Sequence, residues 1–202
     1  MREALLLLFA YLVGSIPCGL LLGLAVGVDV RKGGSGNIGA TNVNRQLGRK
    51  LGLLTLIGDA AKAVLPMLLA STLAGDATLV ALAGAAAFLG HLFPVYLRFH
   101  GGKGVATALG MWLYLSPFSA LVLMAVFAVT VAASGFVSAG SLAAAAALPL
   151  VLWLRGAPAA QPLIALLMAA LIWFKHSDNI GRLRRGEEKS WKDSGGRRGE
   201  GK

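Results

Sequence analysis

The sequence predicts an all-α membrane protein, a polytopic bundle of seven transmembrane spans with the N-terminus outside and the C-terminus inside. Three observations predict it. Hydrophobic residues make up 56% of the 202 positions and charged residues only 14%, a balance too apolar for a soluble domain. The apolar residues fall into long runs of membrane-spanning length. The 19 Lys and Arg collect in the short polar segments between those runs, where the positive-inside rule gives them an orienting role. Orientation, together with anionic substrates or headgroups, accounts for the net charge of +10, and no nucleic-acid partner is expected.

The first run, residues 4–28, has 25 residues, about 37 Å as a helix and enough to span with some tilt. A cleaved signal peptide would be shorter and lead into soluble sequence. Gly14, Pro17, Gly19, Gly23 and Gly27 punctuate the run, which implies close helix packing with neighbours satisfying the freed carbonyls. Residues 51–73 form the second span and carry Asp59 and Lys62 on one face at i, i+3 spacing. A charge at the bilayer centre costs about 2.5 to 3.5 kcal/mol, so the two are expected to pair, either to hold helices together or to support a polar site. Gly75-Asp76 makes a turn into the third span, residues 79–99, where His91 reads as a packing residue ahead of Pro94.

Residues 105–115 supply only 11 apolar positions before Ser116-Pro117, about 16 Å of helix. Either they are a short span followed by a separate one at 118–133, or the two make one kinked helix. Spans at 136–154 and 157–174 follow. The cations decide: with separate spans, 16 of the 19 Lys and Arg share one side, Arg2 and Arg155 face the other, and Lys62 is intramembrane. One kinked helix would send the cation-rich tail outward, against the positive-inside rule. Residues 1–188 therefore read as a single seven-span domain, and residues 189–202 as a charged, glycine-rich, mobile tail without chemistry.

Three polar clusters then share the cytoplasmic face. The first, residues 33–45, offers four glycines for an anion-binding backbone nest, neutral donors on Ser35, Asn37, Thr41, Asn42 and Asn44, and the planar cation of Arg45. The second, residues 99–107, is a glycine-rich turn, Gly101-Gly102-Lys103-Gly104, opening a helix, so unpaired N–H groups, the positive dipole end and the Lys103 charge coincide. The third sets His176, Asn179 and Arg182 at intervals of three, which puts a titratable ring, an amide and a cation on one side of a helix. Together they point to substrates carrying phosphate. The lone Cys18 excludes a disulfide framework or cysteine-ligated metal. There is no zincin motif, and a phosphate-binding Walker loop would need glycine where Leu97 stands. No acidic or histidine cluster calls for a metal, so none is expected, nor any cofactor.

These residues carry a resemblance. Gly14-Ser15-Ile16-Pro17, Gly34 to Asn37 with Gly39, Thr41-Asn42 and Arg45, Gly90-His91 with Pro94 and 99–107, and finally His176, Asn179-Ile180, Arg182-Leu183, Gly186 and Glu188 follow one another as in the bacterial acyl-phosphate:glycerol-3-phosphate acyltransferase family, which the chain resembles up to residue 188. The resemblance implies a multi-pass enzyme of the bacterial inner membrane with its site facing the cytoplasm. It implies transfer of a fatty acyl group from acyl phosphate to the 1-hydroxyl of glycerol 3-phosphate, giving lysophosphatidic acid and phosphate. The partners expected are those two substrates and membrane lipid, with no obligate protein partner.

An acyl phosphate is an activated anhydride, so positioning and oxyanion stabilisation suffice and no protein nucleophile is needed. The His-x-x-x-x-Asp pattern of other acyltransferases is absent, since Tyr96, Val105 and Gly181 stand five residues after the three histidines. Ser35, Lys103, His176 and Asn179 are the candidate catalytic residues. Ser35, Gly36, Asn37, Gly39, Thr41, Asn42 and Arg45 are assigned to one phosphate, with Gly102, Lys103, Gly104 and Arg182 completing the binding set. Lys103 and its flanking glycines meet the other phosphate or the oxyanion, and His176 and Asn179 orient the hydroxyl. The base is His176 or the substrate's own phosphate. The alternative class is a transporter of a phosphorylated solute or lipid, which would carry polar groups on across the spans or show inverted repeats; here the polar residues collect at one face.

Overall fold

The structure, a computed structural model, describes residues 1–192. Residues 193–202, most of the expected tail, lie outside the described residues. Every regular element among the described residues is helical. The chain divides into two compact units, Met1–Pro117 and Phe118–Lys202.

The first unit begins with α1 (Arg2–Gly14) and α2 (Cys18–Ala25), where one continuous helix is expected. The helix breaks at Ser15 to Pro17 and bends by 40°, because Pro17 has no N–H to donate and its ring opposes the preceding turn. The polar stretch that follows is not all loop: it enters α3 (Ala40–Leu47) at Gly39, so Thr41, Asn42 and Arg45 sit on a helix. Next come α4 (Arg49–Ala74) and α5 (Ala77–Leu92). The third span therefore stops as a helix at Leu92, not at residue 99. Pro94 disfavours helix at the preceding residue, and a 3-10 turn at Val95–Leu97 takes over. Asp76 caps α5, its carboxylate accepting from the N–H groups of Thr78 and Leu79 at 3.1 Å each. The last helix of this unit is α6 (Val105–Leu115).

α4 is patterned for a membrane. Gly52, Thr55, Asp59, Lys62, Ala63, Pro66, Met67 and Ala70 are buried along one stripe, while Leu53, Ile57, Leu65, Leu68 and Leu73 are exposed. Apolar side chains face outward and the charged pair faces inward, the reverse of a soluble amphipathic helix. α4 packs on α5 and α6, and α1 packs on α5. At Gly90 and Gly110 an added Cβ would run into the backbone of α1 and α4 respectively, the close approach that drives helix association where water is absent.

The second unit holds α7 (Pro117–Ser134), α8 (Val137–Leu154), α9 (Ala160–Lys175) and α10 (Ser177–Arg185). Ser116 separates α6 from α7, so residues 105–133 form two helices rather than one. α8 packs against α9, with the Trp173 indole N–H donating to the Leu142 carbonyl at 3.2 Å. α9 and α10 bend by 58° at His176.

Among the described residues four helices, α4, α5 with its 3-10 extension, α7 and α8, are long and apolar enough to cross a membrane, and up to six spans result if each bent pair counts as one. The 11-residue α6 is apolar but shorter.

Candidate active site

The first cluster is built around Asn42. Its amide nitrogen donates to the carbonyls of Val30 at 2.9 Å, Gly33 at 3.3 Å and Asn37 at 2.7 Å, and its Oδ1 accepts from the Ser35 N–H at 2.9 Å. One turn on, Gln46 donates to the same Val30 and Gly33 carbonyls. Asn37 Oδ1 accepts from the Gly39 N–H at 2.7 Å, and Gly36 N–H donates to the Gly33 carbonyl. The N–H groups of Ser35, Gly36 and Gly39 are thus used inside the segment, and the row of outward amides expected of a nest is only partly available. Gly34 and Gly36 take left-handed φ of 62° and 70°, which lets the chain wrap the Asn42 amide. Asn42 is 2% exposed, so it shapes the loop from beneath, while Ser35 is exposed. Thr41 and Arg45 share a face of α3 at i, i+4, away from the Asn42–Gln46 edge.

Arg31, a further cation of this segment, is engaged: its guanidinium donates to Asp29 at 2.8 and 2.9 Å. Those bonds, with the Arg31 N–H, hold the Asp29 carboxyl down to about 2.

The second cluster rests on the C-terminal turn of α5. Arg98 and Phe99 take left-handed φ of 49° and 64°, an uncommon conformation for side-chain-bearing residues. The Gly102 N–H then donates to the His91 carbonyl at 3.1 Å. A Cβ at Gly102 would strike the His91 imidazole, and one at Gly104, whose φ is 82°, would strike Phe88 and Leu92. Only glycine lets the loop lie this close to α5. Gly104 opens α6, whose first-turn N–H groups have no intrahelical partner. Lys103 is half-buried next to that helix start. The Thr107 hydroxyl, on the first turn, is fully buried without a hydrogen-bond partner among the described residues.

The third cluster belongs to the second unit. His176 is the corner between α9 and α10 and is 3% exposed. Its Nδ1 lies 2.7 Å from the Ile172 carbonyl; a carbonyl only accepts, so Nδ1 carries the proton and Nε2 is the basic nitrogen of the neutral ring. Asn179 and Arg182 meet on one carboxylate, Glu188: the Asn179 amide and the Ser138 hydroxyl donate to Oε1 at 2.5 and 2.8 Å, and Arg182 Nε donates to Oε2 at 2.7 Å. Burial pushes the Glu188 carboxyl up, but these three donors outweigh it and hold the group below the usual carboxylate range.

Two supports, Gln46 and Ser138, escaped sequence reasoning, and Glu188, which carries part of the resemblance, receives no role there. Gln46 follows Asn42 by one helical turn, a signal that was available; Glu188 and Ser138 are 50 residues apart, and nothing local links them. Among the described residues no group of His, Cys, Asp and Glu has the makings of a metal site.

The model of the family described as glycerol-3-phosphate acyltransferase matches residues 4–186. The chain belongs to the glycerol-3-phosphate acyltransferase family. The family member from Desulfotalea psychrophila is 53% identical over 189 residues, covering 92% of this chain and 96% of its own length. That from Geotalea daltonii is 51% identical, covering 94% and 98%. Among solved structures, the crystal structure of PlsY (YgiH), an integral membrane glycerol 3-phosphate acyltransferase, is similar in its glycerol 3-phosphate form at 40% identity and a TM-score of 0.90, covering 95% of this chain and 96% of that one. The lysophosphatidic acid form of the same protein gives a TM-score of 0.88 at 40% identity, covering 94% and 95%. Family membership makes this chain an integral membrane acyltransferase, as the resemblance in its motifs implies.

Proposed function

We propose that this enzyme transfers a fatty acyl group from acyl phosphate to the 1-hydroxyl of sn-glycerol 3-phosphate, the first acylation of phospholipid synthesis. The hydroxyl oxygen attacks the acyl carbonyl carbon; the new ester C–O bond forms as the C–O bond to phosphate breaks. Inorganic phosphate leaves, and 1-acyl-glycerol 3-phosphate remains. The hydroxyl proton passes to His176 Nε2 or to a phosphate oxygen of the substrate.

The observation that carries this reading is the Gly102-Lys103-Gly104 turn, a cation at the open start of α6, in a membrane acyltransferase with a second basic, glycine-rich segment. Lys103 and the first-turn amides of α6 suit the oxyanion or one phosphate. Ser35, Gly36, Asn37, Gly39, Thr41 and Arg45 bind the other phosphate, with Asn42 shaping the loop beneath them. His176 and Asn179 orient the hydroxyl, and Arg182 contributes to binding. No covalent acyl-enzyme is involved, because the donor is already activated. Residues 1–188 act as one domain of seven spans in a bacterial inner membrane, α6 counting as the short span, with the N-terminus out and the site facing the cytoplasm. The concentration of cations in the polar segments supports that orientation.

Purified enzyme given acyl phosphate and glycerol 3-phosphate should release phosphate only when both are present. Phosphate release from acyl phosphate alone would make it a phosphatase, and turnover that requires acyl-CoA would replace the donor.

A further inference from the structure

Three ionisable side chains are enclosed in the first unit, on the inner side of the glycine turn at residues 101–104. Asp59, Lys62 and His91 are 2%, 4% and 3% exposed. Lys62 Nζ lies 2.9 Å from Asp59 Oδ1, and His91 Nδ1 lies 3.6 Å from the same oxygen. On its other side Lys62 donates to the Ile16 carbonyl at 3.0 Å. The opposite edge of the His91 ring, with Nε2, lies where a Cβ of Gly102 would be, and the His91 carbonyl accepts the Gly102 N–H. The imidazole therefore sits between a buried carboxylate and the backbone of the glycine turn.

A pair that only fastened helices together would need no histidine reaching the turn, and a histidine that only filled space would need no carboxylate at its inner nitrogen. We propose that Asp59, Lys62 and His91 form a positioning relay for the Gly101–Gly104 turn: Lys62 fixes Asp59, Asp59 fixes the His91 ring, and the ring with its carbonyl fixes the backbone that carries Lys103. None of the three touches substrate. The consequence for catalysis rests on the reading of this turn as a phosphate or oxyanion site; the consequence for the turn itself does not. A displacement of about 1 Å at a reacting group costs as much as a hundredfold in rate, so the relay has leverage from beneath the site.

Hydrogen exchange of a peptide spanning residues 99–106, measured with steady-state kinetics on detergent-purified enzyme, tests this. His91→Ala keeps the backbone carbonyl that accepts the Gly102 N–H but removes the ring packed against Gly102, so the turn should open more readily: the Gly102 amide should exchange about tenfold faster, and kcat should fall about 10- to 100-fold. His91→Gln, which keeps a polar group at the height of the ring, should recover most of both. Because His91 acts through Lys103, His91→Ala added to Lys103→Ala should cost little more than Lys103→Ala alone. If His91→Ala does not fold, the charge-neutral Asp59→Asn/Lys62→Met variant should show the same faster exchange at the turn. Unchanged exchange in whichever variant folds, or a fully additive double variant, overturns the relay. Faster exchange in His91→Ala with Lys103→Ala fully active would keep the relay as the support of the turn and overturn the catalytic reading of Lys103.

Discussion

The ammonium of Lys62 donates to the carbonyl of Ile16 at 3.0 Å, across 46 positions of sequence. Ile16 lies in the break between α1 and α2, where Pro17 has removed the N–H that would continue the helix. Its carbonyl also accepts from Cys18 N–H. A backbone carbonyl freed inside a membrane must find a donor, and here a charged side chain supplies it while ion-paired to Asp59. Each of two liabilities, a broken helix and an intramembrane charge, relieves the other.

Removing one member of this arrangement should therefore cost more than removing the charge pair. Lys62→Met leaves Asp59 buried without its cation, and breaking a buried pair in this way costs about 3 to 5 kcal/mol. Asp59→Asn/Lys62→Met removes both charges and should melt, in detergent, closer to wild type than Lys62→Met does. A double variant less stable than the single one would contradict the pairing.

Asn42 offers a test in which the direction of two substitutions differs from a simple size argument. Asn42→Ala removes a donor from three carbonyls, of which those of Val30 and Gly33 keep Gln46, and the acceptor of one N–H, a loss of about 2 kcal/mol or more at the usual net value per bond. Asn42→Asp keeps an acceptor for Ser35 but turns a carboxylate oxygen toward the carbonyls that Asn42 Nδ2 now serves. Thermal melts should rank wild type above Ala and Ala above Asp, with activity following the same order. Equal melting of the Asp variant and wild type would mean that the amide does not organise the loop.

How far the sequence disclosed this architecture depended on whether the signal was local. The apolar runs, the Asp59–Lys62 spacing and the glycine turn at 101–104 are local, and each corresponds to an element or contact in the structure. The break at Pro17 and the helix end before Pro94 were visible as prolines, but membrane helices tolerate proline when a neighbour supplies the missing bond. Whether a break occurs is decided by that neighbour. Treating 33–45 as one loop missed α3, because its apolar residues are few and its helix is fixed by Asn42 and Gln46 reaching back to Val30 and Gly33. Glu188 illustrates the remaining limit: a carboxylate in a basic stretch looks solvated, and only the fold brings Ser138 to it.

Glu188 gives a pH test with a defined sign. Its folded carboxyl titrates below the ordinary value of 4.5, so its contribution is fully present above that value and is lost as the pH falls through the lower, folded one. The melting-temperature gap between wild type and Glu188→Gln, measured in detergent, should be constant above about pH 5 and should shrink toward pH 3. A gap that stays constant through that range would show that the ionised form does not hold Ser138, Asn179 and Arg182 together.

His176 can be tested through its two ring nitrogens. With Nδ1 donating to Ile172, the neutral ring presents Nε2 as its basic atom, the state a general base requires. His176→Ala should lower kcat by about 10² to 10⁴, the usual contribution of a positioned base, with a smaller effect on the KM for glycerol 3-phosphate than Arg45→Ala produces, since the arginine is assigned to binding. In wild type, kcat should rise with pH through a single ionisation that the alanine variant lacks. Turnover near wild type in His176→Ala would leave the substrate's own phosphate as the proton acceptor. A lowered rate that kept the wild-type pH profile would confine His176 to holding the corner between α9 and α10.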